Sequence, residues 1–156
     1  LFQRKLNVND YTSWELMLIL DKLVEEYIGL IIRNFIEGKI IPSPQNYMEA
    51  TFVAKRNAED CLINWNSNTR YMQRFFKALV EPYPKPYFIF RNKKYEVLKA
   101  DIIYKPYIEI PGHVVYIDKD SVWVKISDGL LRIFELTSEG SVLKARDVIK
   151  KTGYRL

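Results

Sequence analysis

The chain has 156 residues, of which 48% are apolar, 14% aromatic and 28% charged. This is long enough to form one globular domain or two small ones around a core, without disulfides or metals to hold it. The single cysteine, Cys61, excludes an internal disulfide and favours a reducing compartment, so we expect a cytoplasmic protein.

The net charge of +5 is unevenly distributed along the chain. Residues 1–66 carry seven Lys and Arg against nine Asp and Glu, whereas residues 67–156 carry 17 against 10, a net charge of +7. A basic second half can attract the phosphates of a nucleic acid or of a nucleotide ligand. The alternative is a solvated, lysine-rich surface with no ligand.

The first predicted elements are a strand within residues 1–8 and a long helix. Because no methionine precedes a strand already in progress, we expect further residues upstream in the full protein. Thr12 and Glu15 have the spacing of a capping box, and Gly38 is a typical helix stop, so the helix is predicted from about Ser13 to Glu37. Apolar residues recur every three to four positions and predict one buried face: Leu16, Leu20, Leu23, Ile28, Ile31 and Phe35.

The same helix is too highly charged to span a membrane, and no signal peptide precedes it. No membrane partner is therefore expected. Its charged residues are Glu15, Asp21, Lys22, Glu25, Glu26 and Arg33.

A crossing segment of poor regularity is predicted next, because Pro42 and Pro44 favour extended chain. A second helix then begins near residues 66–68, where Asn or Ser can cap it, and ends before Pro82. Its predicted apolar stripe is Tyr71, Phe75, Ala78 and Leu79.

From Tyr87 the apolar pattern changes to period two and predicts five short strands. Turns are predicted at residues 91–93, at 118–120 and at Asp128-Gly129, where glycine would accept a positive φ. A short helix is expected over residues 144–151. The predicted class is α+β, a helical connector followed by a small five-stranded antiparallel open barrel of the oligonucleotide/oligosaccharide-binding kind. The predicted division lies between residues 1–66, as the end of a preceding domain, and residues 67–156, as the barrel domain.

No catalytic or metal-binding pattern is visible. One histidine, His113, and one cysteine cannot form a His/Cys metal site, and the six glycines make no phosphate-binding loop. His113 follows a Pro-Gly pair and is interpreted as a surface or strand-edge residue. Trp65 is interpreted as a core residue that packs the crossing segment against the first unit.

Aromatic and basic residues alternate around the proline-rich corner, a pattern suited to nucleotide rings and phosphates. The candidate binding residues for such a ligand are Arg56, Tyr83, Lys85 and Tyr87, and they are called the acceptor-binding residues below. For the two tyrosines the alternative is corner packing, and for Arg56 it is a salt bridge to Glu59 or Asp60.

Taken in order, several stretches resemble the folate-dependent formyltransferase family over nearly the whole chain. They are DYTSWELMLILDKL (10–23), GKIIPSPQ (38–45), EATFVAKRNAEDCLINWN (49–66), RFFKALVEPYP (74–84), KKYEVLKA (93–100), PGHVVY (111–116), SDGLLRIFEL (127–136) and GYRL (153–156).

This resemblance implies the C-terminal portion of a longer enzyme. The family's catalytic Asn, His and Asp lie on an N-terminal doubly wound domain that binds 10-formyltetrahydrofolate, so no catalytic residue is expected here and His113 has no such role. An acceptor amine would attack the formyl carbon.

Family members formylate a nucleotide-linked amino sugar or the methionine of initiator tRNA. The Pro-Tyr-Pro corner at residues 82–84 and Arg56 resemble the amino-sugar branch, which we favour. Lys77 and the Pro-Lys-Pro-Tyr-Phe stretch at 84–88 depart from that branch, and the basic second half favours tRNA. A non-catalytic nucleic-acid-binding module is the remaining alternative, and a homodimer is left open.

Overall fold

The computed structural model describes residues 3–156 and has two compact units, Leu1–Arg56 and Asn57–Leu156. The second unit begins upstream of the predicted boundary at residues 66/67. Cys61 and Ile63 are buried in its core, and the Ile63 N–H donates to the Tyr87 carbonyl at 2.8 Å. Residues 57–66 therefore fold with the barrel. The assignment of residues 1–66 to the end of a preceding domain stays a prediction.

The predicted long helix and its capping box are confirmed. Helix α1 spans Ser13–Ile36, with Thr12 as N-cap and Glu37 as C-cap. The Thr12 N–H donates to the Glu15 carboxylate at 2.7 Å, and the Glu15 N–H donates to Thr12 Oγ1 at 3.3 Å. Gly38 follows with φ of +69°, a conformation that glycine adopts at low cost and that ends the helix.

The expectation that one face of α1 is buried is wrong for the described chain. No residue of this helix is buried, and Leu20, Ile28 and Phe35 are 50%, 46% and 55% exposed. The periodicity that predicted the helix is real, but within the described residues 3–56 the stripe is covered only in part, with Leu16, Leu23 and Ile31 half-buried. None of the helices in the described chain combines the length and apolar character needed to cross a membrane.

The segments flanking α1 have little regular structure. The strand predicted within residues 1–8 is not formed at residues 3–8, and residues 1 and 2 lie outside the described chain. The crossing segment is irregular, as predicted, with one 3-10 turn at Tyr47–Glu49 and exposed side chains throughout residues 41–60.

The second unit is a helix followed by a curled, open antiparallel sheet, which confirms the α+β class and the predicted barrel. The elements are a 3-10 turn at Glu59–Cys61, α2 (Thr69–Ala78), β1 (Tyr87–Phe90), β2 (Lys93–Tyr104), β3 (Val114–Ile117), β4 (Val122–Lys125), β5 (Gly129–Ser138), β6 (Ser141–Lys144) and α3 (Ala145–Val148). Five strands follow the order β1-β2-β5-β4-β3, and β6 pairs with β5.

Strand β6 was not predicted, and α3 is correspondingly shorter than the helix expected over residues 144–151. Glu139 and Gly140 both have positive φ, 52° and 77°, and this two-residue turn folds the chain back onto β5. The predicted turn between β1 and β2 is confirmed, because Arg91 and Asn92 have φ of 52° and 60°.

The core lies between α2, the inner face of the sheet and α3. Met72 and Phe75 of α2 and its C-cap Leu79 are buried, whereas Tyr71 is 53% exposed. The predicted stripe is therefore correct at Phe75 and Leu79, only half-buried at Ala78 and wrong at Tyr71. Trp65 is half-buried and packs against the core of the second unit, 6.0 Å from the Phe88 ring. This agrees with the predicted core role, whereas the predicted packing against the first unit stays a prediction. Other large buried side chains are Phe88, Leu131, Ile133, Leu136 and Ile149.

Gly129 has a different role from the one predicted. Its φ is not in the positive region, so left-handed backbone is not what selects glycine. A Cβ atom there would lie 2.3 Å from the Ile103 carbonyl oxygen and 2.5 Å from Thr69 Cγ2. Its neighbour Asp128 accepts hydrogen bonds from the Thr69 N–H at 2.7 Å and from the Thr69 hydroxyl at 3.2 Å. The Asp-Gly pair therefore attaches α2 to the sheet.

Candidate functional site

Three of the four candidate acceptor-binding residues lie on the corner that connects α2 to β1. Tyr83 is 39% exposed, and its N–H donates to the Val80 carbonyl at 2.9 Å. Pro86 is fully buried, and its carbonyl accepts the Val97 N–H at 2.8 Å. The corner is therefore anchored at its β1 end and presents Tyr83 to solvent.

The side chain of Lys85 forms an ion pair with Glu81 four residues earlier. The hydrogen bond and the charge of Lys85 hold the pKa of the Glu81 carboxyl below its ordinary value. The pair lies near the surface, where such contacts contribute little to stability. An anionic ligand can therefore compete with Glu81 for this ammonium group.

Tyr87 is half-buried at the start of β1 and is largely committed to packing. The Lys94 ammonium lies 4.5 Å from the centre of its ring, and its backbone forms a parallel bridge with Leu62. Its ring belongs to the layer packed against the core. Tyr87 therefore supports the corner more than it offers a free ring.

Arg56 is exposed and is the last residue of the first unit, whereas the other three candidates belong to the second. The ion pairs found among residues 3–156 do not include the alternative salt bridge from Arg56 to Glu59 or Asp60. The Asp60 carboxylate instead accepts the Asn57 N–H at 2.7 Å.

His113 lies next to β3, with Nδ1 3.2 Å from a carboxylate oxygen of Glu109. The pKa of Glu109 lies below its usual range, chiefly because its carboxylate accepts a hydrogen bond from the Ile110 N–H and to a smaller extent because His113 is close. The backbone of His113 bridges to Arg155 near the chain end. This strand-edge position agrees with the prediction for His113.

A row of side chains on the outer face of the sheet was not predicted from the sequence. Tyr116 of β3 pairs with Trp123 of β4, which pairs with Arg132 of β5, so the three side chains share one face. The Tyr116 and Trp123 rings are 6.3 Å apart at 60°, and the Arg132 guanidinium lies 4.8 Å from the Trp123 ring centre.

Asp118 holds this row in position. One carboxylate oxygen accepts hydrogen bonds from Trp123 Nε1 at 2.8 Å, from the Ser121 hydroxyl at 2.8 Å and from Arg132 Nη2 at 3.0 Å. The other accepts the N–H groups of Asp120 and Ser121. These bonds, that of Trp123 first, hold the pKa of Asp118 far below its ordinary value.

A cleft of about 300 Å³ opens beside this row and is called the outer-face cleft here. Leu130 is 4% exposed and forms its floor, whereas Tyr107 and Tyr116, at 46% and 56%, form open walls. The signal in the sequence was the alternation of Tyr116 and Trp123 with buried valines on β3 and β4. The cleft is lined by Lys105, Tyr107, Val115, Tyr116, Trp123 and Leu130.

A helix seated on a curled, open antiparallel sheet, with a proline corner between them, defines a small half-barrel domain. A sequence model of the family described as "Formyl transferase, C-terminal domain" matches residues 55–153. The chain belongs to this family, which confirms the resemblance found in the sequence.

Solved structures of HypX from Aquifex aeolicus have a similar fold. The complex with tetrahydrofolic acid is 20% identical, with a TM-score of 0.51 over 76% of this chain and 21% of that chain. A variant with six substitutions is 21% identical, with a TM-score of 0.52 over 81% of this chain and 23% of that chain. This chain thus spans about a fifth of the HypX chains it matches.

Proposed function

We propose that this chain is the C-terminal part of an N-formyltransferase that uses 10-formyltetrahydrofolate and acts on the amine of a nucleotide-linked amino sugar. The observation that carries the proposal is the family match over residues 55–153, which includes the whole barrel. The complex of HypX with tetrahydrofolic acid supports a folate donor.

The folate and the catalytic Asn, His and Asp are assigned to a domain outside this chain. In the described chain His113 is paired with Glu109 at the edge of the barrel, and no step is assigned to it. When bound, the folate would supply an activated formyl group. In the transfer, the new bond joins the formyl carbon to the acceptor nitrogen and the bond to the folate nitrogen breaks. The acceptor amine loses one proton, and the folate nitrogen gains one.

The part of this chain in the reaction is acceptor binding at the corner. Tyr83 presents an exposed ring on which a nucleobase can stack, and Lys85 can exchange Glu81 for a phosphate of the acceptor. Tyr87 would hold the corner in place through its packing. Arg56 belongs to the first unit, and its contact with a phosphate or carboxylate stays a separate sequence prediction. Binding of this kind affects KM more than kcat, because these groups lie away from the reacting atoms.

Methionyl-tRNA is the second candidate acceptor, and the charge of the barrel half favours it. Residues 67–156 carry a net charge of +7, which suits attraction to a phosphate backbone. Several of these cations lie exposed around α3 and the chain end: Lys144, Arg146, Lys150, Lys151 and Arg155.

A formyl-transfer assay with the intact protein that contains this chain distinguishes these proposals. We expect transfer from 10-formyltetrahydrofolate to a nucleotide-linked amino sugar and not to methionyl-tRNA. Lys85→Gln should raise KM for the sugar nucleotide several-fold with little change in kcat, whereas Lys119→Gln, at an exposed turn, should change neither. If the formyl group is transferred to methionyl-tRNA alone, methionyl-tRNA is the acceptor. If the protein binds RNA but transfers no formyl group, the chain is a non-catalytic nucleic-acid-binding module.

A further inference from the structure

The Trp123 ring that lines the outer-face cleft is held in position by contacts within the protein. The indole N–H of Trp123 is bound to Asp118 at 2.8 Å, and Arg132 lies against the Trp123 ring while pairing with the same carboxylate at 3.0 Å. Tyr116 contacts the edge of this ring and stays 56% exposed. A planar ligand that enters the cleft thus meets a preformed surface and orders few side chains.

The size of the outer-face cleft favours a single planar ring. Further along β5, Phe134 lies between Arg132 at 4.6 Å and Lys99 at 5.6 Å, so cations already occupy it. The exposed rings beside the cleft are Tyr107, Tyr116 and the uncovered part of Trp123. A volume of about 300 Å³ lies at the lower end of small-molecule sites, which fits one base and its sugar better than a strand of several bases.

The charge at the cleft favours an anionic ligand. Lys105 lines the cleft, is exposed, and takes part in none of the ion pairs found among residues 3–156. The nearby carboxylate of Asp118 is paired with Arg132, so it adds little repulsion. The net charge of +7 on residues 67–156 acts in the same direction.

We propose that the outer-face cleft is a binding site for one nucleoside diphosphate, with its base against Tyr116 and Trp123 and its phosphates at Lys105. The proposal is independent of the proposed function, because the lining of the cleft does not include Arg56 or the corner residues. The result for nucleotide binding at the cleft therefore does not affect the proposed formyltransferase function.

The test is a titration of the 156-residue chain, followed by tryptophan fluorescence, with ADP and UDP in turn. We expect saturable quenching by at least one of them, because a base stacked on Trp123 quenches its emission. Inorganic pyrophosphate should give no quenching. A single-stranded oligonucleotide should bind no more tightly, per site, than the free nucleotide.

Matched variants locate the site. Tyr116→Ala should weaken binding about tenfold, in the range found when a stacking ring is removed. Tyr104→Ala is the control, because Tyr104 is 71% exposed at the end of β2 and does not line the cleft. Lys105→Gln should weaken ADP or UDP several-fold more than the corresponding nucleoside.

Circular dichroism of each variant shows whether it folds. Three results would overturn the proposal: no saturable quenching by either nucleotide, unchanged affinity in a folded Tyr116→Ala variant, or quenching by the oligonucleotide alone. The last result would make the face a single-strand site instead.

Discussion

Gly129 is the position where a single methyl group should disturb the barrel most directly. In Gly129→Ala the new Cβ would meet the Ile103 carbonyl at 2.3 Å, and backbone cannot move aside as a flexible side chain can. We expect the free energy of unfolding to fall by about 1–3 kcal/mol, as for overpacked sites. Denaturant unfolding measures this, with Gly29→Ala as control because nothing lies within 4 Å of Gly29. If Gly129→Ala and Gly29→Ala are equally stable, the close approach of the Ile103 carbonyl to residue 129 is contradicted.

Asp118 should make the stability of the barrel depend on pH. Its pKa in the folded state lies below its ordinary value, so the folded state binds fewer protons than the unfolded state between those two pKa values. The stabilisation is complete above about pH 4, the ordinary aspartate value, and is lost as the pH falls below it toward the folded-state pKa. We expect Asp118→Asn to be less stable than the wild type at pH 7.

That difference should shrink steadily as unfolding is measured at lower pH. Asp120→Asn is the control, because the Asp120 side chain lies exposed in the same turn. A stability gap between wild type and Asp118→Asn that is constant from pH 7 to strongly acidic pH would show that the charge of Asp118 is not the cause.

At the scale of elements, two side chains cap α2, one from the adjacent residue and one from a residue 59 positions away. Asn68 accepts the Tyr71 N–H at 2.8 Å, and Asp128 accepts the Thr69 N–H at 2.7 Å from the start of β5. Removal of a capping side chain costs about 1 kcal/mol, so Asp128→Ala should lower the free energy of unfolding by about 1–2 kcal/mol. Thermal unfolding of Asp128→Ala measures this loss, and Ser127→Ala is the control because Ser127 is an exposed neighbour. An unchanged midpoint for Asp128→Ala would show that the second cap is dispensable.

The elements predicted correctly are those whose signals are local. Thr12 and Glu15 lie within one helical turn, and Arg91 and Asn92 connect two strands that are adjacent in the sequence. Strand β6 was missed because its turn contains Glu139, a residue whose positive φ is uncommon and is imposed by pairing with β5. The burial of α1 was mispredicted because periodicity shows which side of a helix is apolar, not whether another layer covers it.

At the scale of the molecule, the order of motifs predicted the fold class and the family, since both depend on features spread over the whole chain. The outer-face cleft could not be predicted in the same way. Tyr116 and Trp123 are brought together by strand register. The orientation of Trp123 depends on Asp118, whose carboxylate accepts hydrogen bonds from Trp123 and from Arg132 on two different strands. Alternation shows that a side chain lies on the outer face, but it does not show which neighbours it meets there.

The two compact units should also separate under limited proteolysis. Every residue of the core cluster lies between Cys61 and Ile149, and the segment before Asn57 is irregular, with Phe52 and Val53 at least 90% exposed. Trypsin should therefore cleave first after Lys55 or Arg56, because proteases need exposed and locally unfolded chain.

Mass spectrometry should find a resistant fragment that begins at residue 56 or 57, and this fragment should keep a cooperative thermal transition because its core is intact. The double variant Lys55→Gln/Arg56→Gln should delay its appearance without changing the transition. A fragment that melts without cooperativity would show that the barrel needs the first unit to fold. First cleavage within the strands would show instead that the exposed segment is protected in solution.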